Sequence, residues 1–382
     1  MREVNFGIIG IGLMGREFAS AVMRWSHLSN MGIKPRIIAI CGNPITAEEE
    51  RWYGDGLGTI EQVTTDYHER LQNPDVEAVY CAVPHNLHEQ FYCDIIESGK
   101  HLLGEKPFGI DKAANDHIMK VIGEHPEVFV RCSSEFPFAP AMQRLTSMIE
   151  REKFGKILEV EAGFLHSSDM DPDKPINWKR MISMNGEYGC MGDLGIHVCH
   201  VPFRAGWIPQ DVRAILSNVF LERPDGKGGM SPCETWDNAT LLCTASGSDG
   251  APFPLTFKTQ RVAPGETNTW YITVKGTKAS AKFSTRNINQ LEYLEYTGKE
   301  QVWCQLATGH DTAFKSVTGG IFQFGFSDAI LQMWAAFLYE YEHGEPLSLF
   351  SGCVTPEEAA LSHNLFTAAL RSQKMHSCES VK

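Results

Sequence analysis

The chain has 382 residues, more than one ordinary hydrophobic core absorbs, so two domains are expected. Its 43% hydrophobic and 21% charged residues are those of a globular protein, and no apolar run approaches the roughly 18–20 residues that span a bilayer, which leaves no membrane partner. A formal charge of −13 argues against nucleic acid, because phosphate binding needs clustered Lys and Arg.

Val4 to Ile9 is a short apolar run with strand character. It leads into Gly10-Ile11-Gly12-Leu13-Met14-Gly15, and Arg16 to Trp25 then reads as a helix. A G-x-G-x-x-G between a strand and a helix is a dinucleotide fingerprint. Gly10 makes the tight turn, Gly12 lets the backbone approach a pyrophosphate, and Gly15 lets the helix pack on the strand, with Leu13 and Met14 completing the loop. Since the strand pattern starts at once, no signal peptide is expected. The second strand, Arg36 to Cys41, ends in Gly42-Asn43-Pro44. NAD-selective folds usually carry a carboxylate here to bind the adenosine ribose. Gly42 and Asn43 stand in that place, so the cofactor reads as NAD(P) with a slight lean to NADP.

Val76 to Val83 is a further buried strand, ending in Pro84-His85-Asn86-Leu87-His88, and Glu89 to Ser98 is helical. His101 to Leu103 leads into Gly104-Glu105-Lys106-Pro107, followed by a helix over Asp111 to Gly123 and a strand over Val128 to Cys132. Such alternation predicts a doubly wound parallel sheet, an α/β Rossmann domain, whose ligands lie at the carboxyl ends of the strands. Gly10, Asn43, Pro84 and Lys106 all fall at those ends. Lys106 is thereby placed to touch both a cofactor and a substrate held by a second domain.

From Ile157 onward strands follow one another without intervening helices: Ile157–Leu165, Val212–Leu221, Trp236–Thr244, Thr269–Lys275, Ser280–Ser284 and Gln290–Tyr296. They predict an α+β C-terminal domain with a large, open, mostly antiparallel sheet. Arg223 to Pro232 and Gly247 to Pro254 read as loops. The expected division is 1–133 for the dinucleotide domain and 134–382 for a substrate-binding and oligomerisation domain, closing with a helix over about 355–373. Trp178-Lys179-Arg180 and the glycines 186, 189 and 192 lead to Asp193. Asp193 and His197 are four apart and share a helix face. A carboxylate near an imidazole raises its pKa, which suits proton exchange near neutrality. Cys190, His197, Cys199 and His200 are close in sequence, yet Cys199 points away from His197 on a helix and no second ligand cluster follows, so no metal is expected. Eleven cysteines without a CxxC pair read as reduced thiols in a cytoplasm.

GIGLMG, VPHNLH, SGKHLLGEKPFG, EFPFAPAMQRL, WKR…GEYGCMGDLGIH and TPEEAALSHNLFTAAL run through nearly the whole chain. In that order they resemble the glucose–fructose oxidoreductase / inositol dehydrogenase / rhizopine catabolism (Gfo/Idh/MocA) family. The resemblance implies that Lys106 lies beside the nicotinamide and the reacting hydroxyl. It also implies that Asp193 and His197 are the D-x-x-x-H pair, with His197 as proton acceptor, and that Pro84, Asn86, His88 and Glu105 fall in segments lining the cofactor. In this family the free face of the second sheet commonly packs on another subunit, so a homodimer or homotetramer is implied. The chain departs from the pattern at Gly42, usually Asp. Phe136-Pro137-Phe138 also lacks the usual arginine, and His200 stands where an acid is common.

The activity these readings favour is hydride transfer between a nicotinamide and a secondary carbinol carbon of a sugar, sugar derivative or cyclitol. Trp178 would stack on a sugar face, and Glu135, Lys179, Arg180 and Asp193 would bond hydroxyls around His197. Two rivals are a cofactor-recycling lyase or glycosidase and a non-catalytic NAD(P)-binding sensor.

Overall fold

Six parallel strands form the first layer of the computed structural model, which describes residues 1–309 and 311–382. They are β1 (Arg2–Ile9), β2 (Ile33–Cys41), β3 (Gln62–Thr64), β4 (Ala78–Cys81), β5 (His101–Gly104) and β6 (Val130–Cys132), in the spatial order β3-β2-β1-β4-β5-β6. Their apolar runs are buried on both faces, since helices cover both sides of a parallel sheet. These helices are α1 (Leu13–Met23), α2 (Ala47–Leu57), α3 (Tyr67–Leu71), α4 (His88–Glu97) and α5 (Lys112–Glu124). Local chemistry fixes their ends. Thr46 and Glu49 form a reciprocal capping box at α2, and Asp111 caps α5 by accepting from the Ala114 N–H. The strand order reverses between β1 and β4, which opens a crevice at their carboxyl ends.

After α6 (Pro140–Glu150) the chain enters a nine-stranded mixed, mostly antiparallel sheet. Its strands are β7 (Ile157–Leu165), β8 (Asp211–Ser217), β11 (Asn238–Ser246), β12 (Pro252–Gln260), β13 (Thr269–Gly276), β14 (Ala279–Ser284), β15 (Gln290–Glu295), β16 (Cys304–Ala307) and β17 (Glu379–Ser380). A separate ribbon pairs β9 (Glu222–Pro224) with β10 (Met230–Pro232). The strand expected over Val212–Leu221 therefore stops at Ser217. The expected loop over Gly247–Pro254 is also shorter, because β12 begins at Pro252. Pro252 and Pro254 obscured that strand; they lie where β12 pairs only with β11, and pairing with β7 starts at Leu255.

The remaining helices are α7 (Ile182–Asn185), α8 (Cys190–Arg204), α9 (Phe326–His343) and α10 (Pro356–Met375). Residues 190–203 of α8 are all buried, packed on β7, β12 and α10. A helix buried all round ordinarily has no reason to carry polar side chains, so Asp193, His197 and His200 need an explanation. α9 crosses back to the first layer. Trp334 stacks on Phe18 with ring centroids 3.5 Å apart and meets Phe6 edge-on at 5.5 Å. Residues far beyond position 133 thus complete the core around β1.

Candidate active site

The crevice at the ends of β1 and β4 begins with the glycine loop. Gly10 has φ +95°, and a Cβ there would lie 2.3 Å from the Ala82 carbonyl oxygen. A Cβ on Gly15 would lie 2.3 Å from the Gly10 carbonyl oxygen, so helix and loop touch as backbone. Gly12 faces open space and stands at the head of α1, with no side-chain cap and no acid in the first turn. Free N–H groups at a helix start, unopposed by negative charge, fit the pyrophosphate of a dinucleotide. Leu13, 76% exposed, and Met14 border the same crevice. At the end of β2, Gly42 is buried against Ile11 and Asn43 is exposed, so no carboxylate stands there.

Pro84, His85, Glu105 and Lys106 continue the lining from β4 and β5 into a cleft of about 750 Å³. Glu105 is fixed by the Tyr80 hydroxyl, which donates to its Oε1 at 2.6 Å. His88 lies fully buried behind this wall, its ring nitrogens on the carbonyls of Val83 and Pro107, and Asn86 is exposed at the head of α4. Neither residue lines the cleft.

The opposite wall belongs to the second sheet and α8, and its centre is Asp193. Lys106 Nζ donates to Asp193 Oδ1 at 2.9 Å and to its carbonyl at 2.8 Å. Lys179 Nζ and Arg261 Nη2 donate to Oδ2 at 2.9 and 3.0 Å. Burial alone would raise the Asp193 pKa, but Lys106, Lys179 and Arg261 together hold it well below the usual carboxylate range. Burial pulls the Lys106 ammonium the other way, and the charges of Asp193 and Glu105 outweigh it, so its pKa is raised. Asp193 raises the Lys179 pKa, yet burial and the neighbouring Lys106 and Arg261 leave it lowered.

His197 sits one helical turn on from Asp193. Its carbonyl accepts from Trp270 Nε1 at 2.8 Å, and Phe136 and Phe164 meet its ring edge-on. Nδ1 lies 3.0 Å from Ser134 Oγ and 4.0 Å from Glu135 Oε2. The expectation of a raised His197 pKa is corrected here. Burial, then the Lys106 charge, hold it well below the ordinary value, and Asp193, already shared among three cations, does not offset them. His197 is therefore a neutral imidazole near pH 7, a form that can accept a proton. Glu135 is pushed up to about 7 by burial and by Glu105, with Lys106 opposing.

Trp178 and Lys179 line the cleft, as do Glu135, Asp193 and His197. Arg180 does not, which corrects its expected contact with substrate. Its side chain is fully buried and paired with Asp169 and Asp237, because the short turn over Trp178–Arg180 points it into the protein. Sequence reasoning missed Arg261, His85 and Ser134. Arg261 follows β12, the strand that the prolines hid, and is 68 residues from Asp193. His85, within the quoted VPHNLH segment, was readable: it lines the cleft with Nε2 4.0 Å from Asp193 Oδ1. Among the described residues no group of three or more His, Cys, Asp or Glu side chains is arranged to hold a metal ion, and no helix is long and apolar enough to cross a membrane.

Residues 4–131 match the oxidoreductase family with an NAD-binding Rossmann fold. Levoglucosan dehydrogenase of Pseudarthrobacter phenanthrenivorans is 26% identical over 313 residues, which is 76% of either chain. Trans-1,2-dihydrobenzene-1,2-diol dehydrogenase of Sus scrofa is 23% identical over 259 residues, 65% of this chain and 72% of that one. The solved structure of a levoglucosan dehydrogenase in complex with NADH and L-sorbose shares the fold over the whole of both chains, with a TM-score of 0.85 at 22% identity.

Proposed function

The chain belongs to the Gfo/Idh/MocA family of NAD(P)-dependent oxidoreductases, and from that premise we propose that it oxidises a secondary hydroxyl of a sugar, sugar derivative or cyclitol, or reduces the matching ketone. The observation that carries this reading is one cleft lined by both a neutral, buried His197 and a charged Lys106 locked on Asp193. Gly10, Gly12 and Gly15 would hold the dinucleotide, with Pro84, Glu105 and Lys106 along its path. Bound there, an oxidised nicotinamide supplies the hydride acceptor.

The protein's own part is proton and charge management. His197 takes the hydroxyl proton, and its depressed pKa keeps it in the accepting form across neutrality. Lys106 stabilises negative charge on the substrate oxygen as it develops. Asp193 fixes that ammonium, and through Lys179 and Arg261 it ties three segments of the chain to one point. Trp178 offers an aromatic face to an apolar sugar face.

Turnover on a panel of anhydrosugars, ketoses and cyclitols, followed by reduced-nicotinamide absorbance, tests this directly. His197→Ala is expected to lose about 10²–10⁴-fold in kcat with dinucleotide affinity within about threefold of wild type, and Lys106→Ala to lose at least as much in kcat. Near-normal turnover in both variants would remove these residues from the chemistry. Recycling of cofactor without net reduction would point instead to a lyase or glycosidase.

A further inference from the structure

Glu135 is a buried carboxyl, 6% exposed, at the start of the short turn over Phe136–Phe138. Its carboxylate accepts from its own backbone N–H, no hydrogen bond joins it to another side chain among the described residues, and its Oε2 lies 4.0 Å from Nδ1 of the neutral His197 ring. Burying a carboxylate with no side-chain hydrogen-bond donor is costly, so a carboxyl kept in this state calls for a use. Ser134 Oγ lies on the same nitrogen, at 3.0 Å. With Nδ1 held from this side, the ring nitrogen left to take a proton from substrate is Nε2.

Resting on the hydride-transfer reading above, we propose that Glu135 is a positioning residue acting through His197: Ser134 holds the inner nitrogen, and the Glu135 carboxylate, 4.0 Å from it, stabilises the imidazolium formed when His197 takes the substrate proton. In the step, the substrate O–H bond breaks and its proton forms an N–H bond at Nε2. The imidazolium so formed keeps its Nδ1 proton on Ser134 Oγ, and the Glu135 carboxylate balances its charge. The carbon-bound hydrogen leaves with its electron pair to the oxidised nicotinamide of the family's activity, so the products are a ketone, reduced cofactor and protonated His197. His197 then returns the proton to water through the cleft that it lines.

The electrostatic setting suits this. Glu105 and Lys106 act on the Glu135 carboxyl from the loop after β5, Glu17 from α1, Tyr80 from β4 and His197 from α8. Burial comes first and Glu105 adds to it, so the carboxyl gains its proton near neutrality, at about 7. Only the carboxylate form stabilises the imidazolium, so oxidation should rise as pH passes upward through that value and level off above it.

The test uses the full-length protein and two variants, Glu135→Gln and Ser134→Ala. In ligand-free wild type, nitrogen NMR of the His197 ring is expected to show a small step near pH 7 while the ring stays neutral. Glu135→Gln should abolish that step. With the panel compound that wild type oxidises fastest, Glu135→Gln should lose the limb near pH 7 and about 10²-fold in kcat. Its KM should stay within about threefold of wild type, and Ser134→Ala should lose kcat in the same manner. A KM raised tenfold with kcat and pH profile unchanged would make Glu135 a substrate-binding group and overturn the proposal, as would a His197 step that survives Glu135→Gln. If wild type oxidises nothing on the panel, the proposed function fails, and the ligand-free titration still decides the Glu135–His197 link.

Discussion

Lys106 Nζ meets Asp193 Oδ1 at 2.9 Å although the two are 87 residues apart, one following a strand of the parallel sheet and the other in the first turn of the helix beneath the second sheet. The pair closes the seam between the layers at the point where the cleft is deepest in charge. Asp193 is also the only anion that touches Lys106, Lys179 and Arg261 together among the described residues.

Asp193→Asn therefore leaves three cations around a neutral amide. Breaking a buried pair typically costs about 3–5 kcal/mol, and a loss of unfolding free energy of that size is expected from urea titration at pH 7. The Lys106 amine, now without its main counter-charge, should titrate lower than in wild type. A variant as stable as wild type would show that the cations are satisfied elsewhere.

Arg180 gives a contrasting test, since it is buried with Asp169 and Asp237 and off the cleft. Arg180→Leu should destabilise by a similar ~3–5 kcal/mol. The fraction that folds should keep the KM of wild type. A large rise in KM at unchanged stability would restore the substrate-contact role that the fold argues against.

Cofactor choice turns on Gly42 and Asn43. Without a carboxylate at the end of β2, NADP should bind at least comparably to NAD. Titration of both dinucleotides checks this, and a wild-type preference for NAD above about a hundredfold, ~2.7 kcal/mol, would refute it. Gly42→Asp should shift preference towards NAD by repelling a 2′-phosphate. Its new Cβ would lie 2.6 Å from Ile11 Cγ1, so the swap should work better beside Ile11→Ala.

Acid sensitivity follows from the buried histidines. Burial lowers His88 to about 4 and His363 to about 3, and it holds His85 and His197 well below the ordinary value. The unfolded chain takes up these protons first, below about pH 6.5. Stability is thus fully present above that pH and is lost as pH falls towards the folded-state values. Urea midpoints should drop clearly between about pH 7 and pH 5; a flat profile over that window would contradict the argument.

Much of the site was legible because its chemistry is local in sequence. The glycine loop between β1 and α1, the Lys106 turn after β5 and the Asp193/His197 spacing each carry their meaning within a few residues. What stayed hidden depends on distance or on environment. Arg261 reaches Asp193 from the end of a strand whose alternation two prolines disguise. The His197 pKa was misjudged because spacing shows a nearby carboxylate but not three cations already claiming it. Residues 326–343 are apolar on nearly every side, so periodicity could not say which layer they join.

That last helix has a consequence for anyone who cuts the chain. Trp334 and Phe337 fill space against Phe6 and Phe18, so a fragment ending at residue 133 would expose those two phenylalanines where a packed aromatic cluster belongs. The nucleotide-binding layer is spelled by two separate passages of the gene. Its shortest self-sufficient version has to carry residues 326–343 with it, by fusion or by co-expression.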